Sequence, residues 1–191
     1  MYKISMVSLG CPKNQVDAEM MLASLKQNGF EISTEEAEAD AIIINTCGFI
    51  EDAKKEAIEN ILEAAQYKKN GRCKALIVTG CLAERYKDDV TEEIPEVDVC
   101  VGIGSNGKIA DIVLSAIEGK RGNTYGDKYA LDLNCDRILG GYPFSTYLKI
   151  GDGSDNCCTY CAIPKIRGRM RSRKIEDCVE EARKLAFRGV K

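Results

Sequence analysis

The sequence predicts a doubly wound parallel α/β sheet over residues 1–119, followed by the beginning of a second domain. Two observations favour this fold class. Short runs of β-branched and aliphatic residues alternate with segments of helical periodicity, and each strand–helix unit is about 35 residues long. The chain has 191 residues, of which 45% are hydrophobic, and this is enough for one complete core and part of another.

Four strands are predicted from short apolar runs that suit a sheet buried on both faces, and a weaker strand is expected near Phe30. The four ranges are 3–9, 41–45, 74–79 and 97–101. Three helices are predicted from apolar residues at helical spacing, at 14–25, 50–69 and 108–118. Asn14 is the predicted cap of the first helix, and Gly29 and Gly119 are expected just after the first and third helices.

Residues 120–145 are rich in Gly, Asn, Asp and Tyr and lack a sustained period, so they are predicted to form a linker. Residues 146–191 are expected to begin a second domain. Its predicted elements are a strand, a cysteine-rich loop and a helix, at 146–150, 151–164 and 174–188. A parallel crossover of this kind requires a further strand, and none remains before Lys191, so we expect the chain to be truncated inside this domain.

Ten cysteines and no histidine are the main features of the composition. The absence of histidine excludes imidazole-ligated zinc and Ser-His or Cys-His catalysis. The formal net charge of −3 gives no global attraction to nucleic acid, and no apolar run is long enough to span a membrane. The first ten residues are predicted to be a strand without a secretion signal, so we expect a cytosolic protein whose thiols serve metal binding or catalysis.

Three cysteines follow three of the predicted strands. Cys11 comes after the first strand, Cys47 after the strand at 41–45 and Cys81 after the strand at 74–79. The carboxyl ends of parallel strands meet at one edge of a sheet, so these thiols are expected to converge there. Three thiolates without histidine suit an iron–sulfur cluster that keeps one iron open, whereas structural zinc prefers a fourth protein ligand. The alternative is a structural role, which is predicted for three other cysteines, Cys73, Cys100 and Cys178.

Four motifs occur in order along the chain. They are Ser-Leu-Gly-Cys-Pro-Lys-Asn at 8–14, Asn-Thr-Cys-Gly-Phe-Ile at 45–50, Thr-Gly-Cys-Leu-Ala at 79–83, and Tyr-Cys-Ala-Ile-Pro-Lys-Ile-Arg-Gly-Arg at 160–169. Together they resemble the radical-SAM methylthiotransferases, and the Cys-Pro-Lys-Asn form is most similar to the ribosomal-protein branch rather than the tRNA branch. The likeness covers essentially the whole chain. A complete member continues through the rest of a partial (β/α) radical-SAM barrel and a small terminal β-barrel domain.

The resemblance implies a transferase with two 4Fe–4S clusters. Cys11, Cys47 and Cys81 would hold an auxiliary cluster that takes part in sulfur transfer. A CxxxCxxC loop would hold the second cluster, whose open iron binds S-adenosylmethionine. With one electron from a donor, the cofactor generates a radical that removes a hydrogen from an unactivated carbon. The implied substrate is an aspartate side chain of small-subunit ribosomal protein twelve.

The second cysteine motif departs from the family pattern at one position. Cys158 and Cys161 match the family's second and third ligands, but Ser154 occupies the position of the first. A serine hydroxyl is a far weaker donor to iron than a thiolate. Cys157 could substitute only in a reshaped loop, because it adjoins the next ligand. The sequence therefore predicts a second cluster that assembles poorly.

Several alternatives stay open from the sequence. The chain could belong to a tRNA-type methylthiotransferase, to a non-catalytic iron–sulfur carrier or scaffold, or to a flavodoxin-like binding module with incidental thiols. As a fragment, it is expected to be inactive alone. The Gly-x-Gly-x-x-Gly pattern at 102–107 follows a late strand, which favours a tight turn over a dinucleotide site. Six cations within ten residues suit either a functional role, in contact with the ribosome or RNA or with the cofactor's carboxylate, or a solvated, salt-bridged segment. These are Lys165, Arg167, Arg169, Arg171, Arg173 and Lys174.

Overall fold

The computed structural model describes all 191 residues and contains a five-stranded parallel sheet. Its strands are β1 (Lys3–Ser8), β2 (Glu31–Ser33), β3 (Ala41–Thr46), β4 (Ala75–Gly80) and β5 (Val99–Val101). They lie in the order β2-β1-β3-β4-β5, and every neighbouring pair is parallel. This is the flavodoxin-like order, in which the direction of winding reverses between β1 and β3. The predicted doubly wound parallel sheet is confirmed.

Five helices accompany this sheet. They are α1 (Pro12–Gln27), α2 (Glu51–Asn70), α3 (Cys81–Tyr86), α4 (Asp89–Glu93) and α5 (Ile109–Ile117). The three longer helices match predicted ranges to within two residues at each end. The two short helices were not predicted, because segments of five or six residues are too short to show a helical period. No helix is both long and apolar enough to cross a lipid bilayer.

Two hydrophobic clusters cover the two faces of the sheet. On β3, Ile42 and Ile44 point to one face and Ile43 points to the other, since side chains alternate along a strand. The first face packs against α2, α3 and α4, and the second packs against α1 and α5. Because both faces are covered, the central strands are continuous apolar runs that end in polar residues only at their carboxyl edge.

The prediction that Asn14 caps the first helix is wrong. The helix begins two residues earlier, because the fixed φ of Pro12 suits the first helical turn, and Cys11 occupies the capping position. Asn14 therefore lies inside the first turn and is buried. Its side chain does not cap the helix and instead forms hydrogen bonds with other segments of the chain.

Residues 120–191 form a smaller unit that packs against the sheet domain. Its elements are β6 (Gly151–Asp152), α6 (Ile163–Arg167), β7 (Arg171–Ser172) and α7 (Ile175–Phe187). The predicted strand at 146–150 is wrong, because a strand needs a partner and only Ile150 accepts a backbone bond from the neighbouring segment, from Arg173. β6 and β7 pair antiparallel, so this part of the chain does not show the predicted start of a barrel.

The glycine-rich pattern at 102–107 forms a 3₁₀ helix (Ile103–Lys108) that leads into α5. The buried carboxylate of Glu84 accepts a hydrogen bond of 2.9 Å from the backbone N–H of Ile103 at the start of this turn. An acidic group in that position opposes the binding of a phosphate. The geometry supports the interpretation as a tight turn.

Replacing Ile61 with alanine is expected to lower the free energy of unfolding by about 2–5 kcal/mol, because its side chain is fully buried in the core between α2 and the sheet. Ile58→Ala is the matched control on the same helix, where the side chain is 41% exposed, and should cost less than about 1 kcal/mol. Urea unfolding followed by circular dichroism measures both. Equal losses in the two variants would contradict the packing described here.

Candidate functional site

The three cysteines predicted at strand ends lie at one edge of the sheet. Cys11 follows β1, Cys47 follows β3 and Cys81 follows β4, and these strands are neighbours in the order β1-β3-β4. Thr46 pairs with Gly80, so the second and third cysteines come directly after paired positions. The winding reverses between β1 and β3, and doubly wound sheets bind their ligands at such a point. We call this group of three thiols the cysteine edge.

Close approach of the loops at the cysteine edge depends on two glycines. Gly10 has a φ of 97°, and a Cβ on it would lie 2.8 Å from the Cβ of Cys47. A Cβ on Gly48 would lie 2.7 Å from the Cα of Leu82 and 3.1 Å from the carbonyl carbon of Cys81. Such distances are shorter than van der Waals contact, so only glycine fits at either position. Each loop of the cysteine edge therefore touches the next.

The three thiols differ in their access to solvent. Cys11 is exposed, Cys47 is half-buried and Cys81 is buried. Burial raises the pKa of the Cys81 thiol to about 11, although the guanidinium of Arg167 acts in the opposite direction. This thiol is therefore protonated at neutral pH in the metal-free chain, and a metal that binds it must displace the proton.

The donor set and its spacing decide which inorganic group fits the cysteine edge. No group of three or more Cys, Asp or Glu side chains is close enough together to hold a single metal ion. Neighbouring strands of a sheet are about 4.8 Å apart, so ligands spread over three strand ends suit a group larger than one ion. Structural zinc sites built from sulfur alone use four cysteines, whereas three cysteines suit an iron–sulfur cluster that keeps one iron open. The residues present fit such a cluster better than they fit zinc.

Asn14 contacts all three loops of the cysteine edge. Its Nδ2 donates to the carbonyl oxygens of Leu9 and Thr46, at 3.0 and 2.8 Å, and these residues lie shortly before the first two cysteines. Its Oδ1 lies 3.5 Å from the Sγ of Cys81. One buried amide thus fixes the position of three chain segments that are far apart in sequence.

A cluster of four buried charges lies next to Asn14. Arg167 bonds Asp17 at 2.9 Å and Asp152 at 3.0 Å, and Lys149 bonds the same two carboxylates at 2.6 and 2.9 Å. Two cations and two anions balance, so no net charge is left buried. Arg167 also donates to the Oδ1 of Asn14 at 2.6 Å. We call these four residues the buried ion cluster, and it joins α1 to the segment from 149 to 167.

The charges of the buried ion cluster lower the pKa of the Asp152 carboxyl group. Burial alone would raise the pKa of this carboxyl group, but Arg167 and Lys149 outweigh the effect and hold it well below its usual range. The carboxylate is therefore ionised throughout the physiological pH range. It also accepts the backbone N–H of Gly153 at 2.9 Å, which shapes the start of the cysteine-rich loop.

The second group of cysteines lies in the loop between β6 and α6. Cys158 is exposed and Cys161 is half-buried, and the N–H of Cys161 donates to the carbonyl of Cys158 in a tight turn. The hydroxyl of Ser154 accepts the N–H of Asn156 at 3.3 Å. The thiol of Cys157 is exposed and bonds within its own loop, to the carbonyl of residue 155 at 3.7 Å. The loop offers two thiols at the predicted positions and a hydroxyl at the third.

The remaining cysteines take no part in either group. Cys73 and Cys100 are buried in the core, as predicted, and Cys178 is half-buried on α7. Cys135 is exposed and its thiol bonds only the carbonyl of residue 132, at 3.6 Å.

The basic run at 165–174 divides into buried and exposed members. Arg167 is 1% exposed, and the guanidinium of Arg173 is buried in an ion pair with Glu181. Both residues are salt-bridged, as the second interpretation from sequence expected, but they are not solvated. The sequence did not reveal the contacts of Asn14 and Arg167, and it did not mark the other three members of the buried ion cluster at all. Asn14 and Arg167 lie inside motifs quoted above, and this position is the one feature of the sequence that could have identified them.

Fold and site together define an α/β protein with three cysteines at the switch point of a parallel sheet. Residues 3–102 match the family described as uncharacterized protein family UPF0004, and the chain belongs to this family.

Three similar curated relatives share one name. Ribosomal protein uS12 methylthiotransferase RimO of Desulforamulus reducens is 51% identical over 193 aligned residues, which cover 100% of this chain and 44% of the relative. The proteins of that name from Pelotomaculum thermopropionicum and Geobacter sulfurreducens are 50% and 48% identical, over 99% of this chain and 43% of each relative. The chain spans less than half the length of these relatives and corresponds to an N-terminal part of them.

Replacing Asp152 with asparagine is expected to lower the free energy of unfolding at neutral pH by about 3–5 kcal/mol, because two buried cations lose a partner. The folded-state pKa of Asp152 lies below the usual 3.8, so its contribution is complete above that value and is lost as the pH falls through the lower, folded-state value. The variant should therefore lose less stability than the unmodified chain on acidification below about pH 4. Urea unfolding at several pH values measures this.

Asp136→Asn, at an exposed position, is the control for this test and should leave both the stability and its acid dependence nearly unchanged. Parallel pH profiles for the unmodified chain and Asp152→Asn would show that the buried ion cluster is not ionised as described.

Proposed function

We propose that this chain is the N-terminal part of a methylthiotransferase that modifies ribosomal protein uS12, and that the cysteine edge binds a 4Fe–4S cluster which takes part in sulfur transfer. The observation that carries the proposal is the meeting of Cys11, Cys47 and Cys81 on three adjacent strand ends. The name shared by relatives that match the whole chain at about 50% identity supports the reaction class and the substrate. By the resemblance, the modified group is an aspartate side chain.

The residues of the cysteine edge suit the proposed cluster in three ways. The three thiols supply three ligands and leave a fourth position for a sulfur donor or substrate. Cys11 is exposed, so the outer side of the site is accessible, whereas Cys81 is buried and anchors the inner side. When bound there, the cluster supplies sulfur and redox chemistry that the side chains of this chain cannot provide.

The protein's own groups prepare the cysteine edge for an anionic cluster. Asn14 fixes the loops that carry the cysteines, so the ligands need little reorganisation when the cluster binds. The guanidinium of Arg167 acts on the Cys81 thiol and favours its thiolate form. This effect partly offsets the burial that keeps the thiol protonated in the metal-free chain, so a metal displaces the proton more easily than it would without the guanidinium.

The loop that carries Cys158 and Cys161 fits a second cluster incompletely. Its donors are two thiols and the hydroxyl of Ser154, so it is one thiolate short of the three ligands that bind S-adenosylmethionine-dependent clusters in the family this chain resembles. A non-catalytic iron–sulfur carrier or scaffold is therefore the second candidate function, and Ser154 is the observation that favours it.

The proposed partners follow from the same assignment. They are uS12 on the small ribosomal subunit and a one-electron donor, and the proposed location is the cytosol. A contact with ribosomal RNA would use only the exposed cations of the basic run, namely Lys165, Arg169 and Lys174.

Anaerobic reconstitution with iron and sulfide is expected to load about four iron atoms on the chain, held by the cysteine edge. Replacing Cys11, Cys47 and Cys81 together with alanine should remove most of this iron. Cys135→Ala is the matched control, because it deletes an exposed thiol outside both groups. Iron and sulfide analysis with visible absorption measures the content. Retention of the iron in the triple variant would overturn the proposed site.

Replacing Ser154 with cysteine is expected to raise the iron content above that of the unmodified chain, because it completes the thiolate set of the second loop. Ser145→Cys adds a thiol at another exposed position and should not raise it. The same iron content in Ser154→Cys and Ser145→Cys would contradict the assignment of position 154.

The full-length protein with Ser154→Cys, given S-adenosylmethionine and a reductant, should release 5′-deoxyadenosine. Release of 5′-deoxyadenosine would identify an enzyme, whereas an iron–sulfur carrier would release none. Two loaded clusters without any 5′-deoxyadenosine would favour the carrier or scaffold.

A further inference from the structure

Arg167 is the most deeply buried cation of the chain and lies between the two groups of cysteines. Its side chain is 1% exposed, and its guanidinium bonds three partners: Asn14, Asp17 and Asp152. The first two belong to α1, directly beside the cysteine edge. The third is the last residue of β6, directly before the loop that carries Cys158.

The segment around Arg167 also holds the second loop by its backbone. The carbonyl of Gly168 accepts the N–H of Ser154 at 3.1 Å, and the N–H of Met170 donates to the carboxylate of Asp155 at 3.2 Å. Ile166 packs against the Cys81 side chain in a small hydrophobic cluster. The position of α6 is therefore tied to both groups of cysteines at once.

The bond from Arg167 to Asn14 orients the Asn14 amide. An oxygen that accepts a charged N–H at 2.6 Å cannot exchange places with the Nδ2 group without placing two donors face to face. With Oδ1 held toward Arg167, the Nδ2 group must point to the carbonyls of Leu9 and Thr46. The guanidinium thus acts on the cysteine edge through Asn14, in addition to its direct electrostatic effect on the Cys81 thiol.

We propose that Arg167 is a positioning residue that holds the cysteine edge in ligating geometry through Asn14 and couples that edge to the loop of Cys158 and Cys161. The proposal rests on the proposed function for the identity of the bound cluster, but the positioning itself is a property of the metal-free chain. Its consequence is that a change at position 167 alters the environment of cysteines that lie more than eighty residues away in sequence.

The experiment compares three variants of the full chain. Arg167→Met removes the guanidinium, and Asn14→Ala breaks the link while leaving the four charges of the buried ion cluster in place. Arg173→Met is the matched control, because it removes another buried, ion-paired guanidinium from the same part of the chain that does not touch Asn14. Thermal melts followed by circular dichroism first establish the overall stability of each variant.

The first readout is hydrogen exchange of the metal-free chain, followed by mass spectrometry of peptides that cover residues 8–14 and 44–50. Loss of a charged hydrogen bond should speed exchange in both peptides by about tenfold or more in Arg167→Met and Asn14→Ala, but not in Arg173→Met. Unchanged exchange in the first two variants, or the same increase in all three, overturns the proposal. Because Asn14→Ala keeps the charges paired, unchanged exchange in that variant still overturns the proposal if Arg167→Met does not fold.

The second readout is the electron paramagnetic resonance spectrum of the reduced cluster, with Cys158 and Cys161 replaced by alanine so that only the cysteine edge is loaded. Arg167→Met and Asn14→Ala should change the spectrum, Arg167→Lys should restore it in part, and Arg173→Met should leave it as in the parent chain. Identical spectra in all variants overturn the proposal. Failure of every chain to bind iron overturns the proposed function instead, and the exchange experiment then decides the positioning role alone.

Discussion

The candidate site depends on one constraint, which is that β1, β3 and β4 run parallel and in adjacent positions of the sheet. Parallel strands end at the same edge of the sheet. Three cysteines that follow three adjacent strands therefore lie along that edge, although they make no bond to one another. The reversal of winding beside β1 opens space at that edge. The buried isoleucines on both faces of β3 hold the strands in register, and stability of the core is therefore a requirement for the site.

Polar contacts fix the loops that follow the strands of the sheet. The sheet sets the strand ends at their spacing, whereas Asn14 sets the loops beyond them through bonds to Leu9 and Thr46. Arg167 joins this arrangement to the smaller unit at the C-terminal end of the chain. Burying four charges is expensive unless each is paired, and the two cations and two anions observed here are paired with one another. The two groups of cysteines are thus parts of one connected structure.

The sequence was sufficient to predict those parts of the fold and of the candidate site that depend on local residue patterns. Runs of isoleucine and valine predicted the central strands, and the chemistry of parallel sheets predicted where Cys11, Cys47 and Cys81 would lie. The resemblance to methylthiotransferases of the ribosomal-protein branch is confirmed by the relatives. The prediction of a strand at 146–150 was wrong because a local sequence pattern does not show whether a strand has a pairing partner. The contact between Asn14 and Arg167 joins positions 153 residues apart, and only the folded chain reveals it. The iron–sulfur cluster stays a prediction.

The most direct measurement of the central claim is an anomalous difference map, recorded at the iron absorption edge, from crystals of the anaerobically reconstituted chain. The account predicts iron density at the carboxyl edge of the sheet, bonded to the Sγ atoms of Cys11, Cys47 and Cys81. Iron found only at the loop of Cys158, with the three sulfur atoms of the edge unbonded, would contradict it.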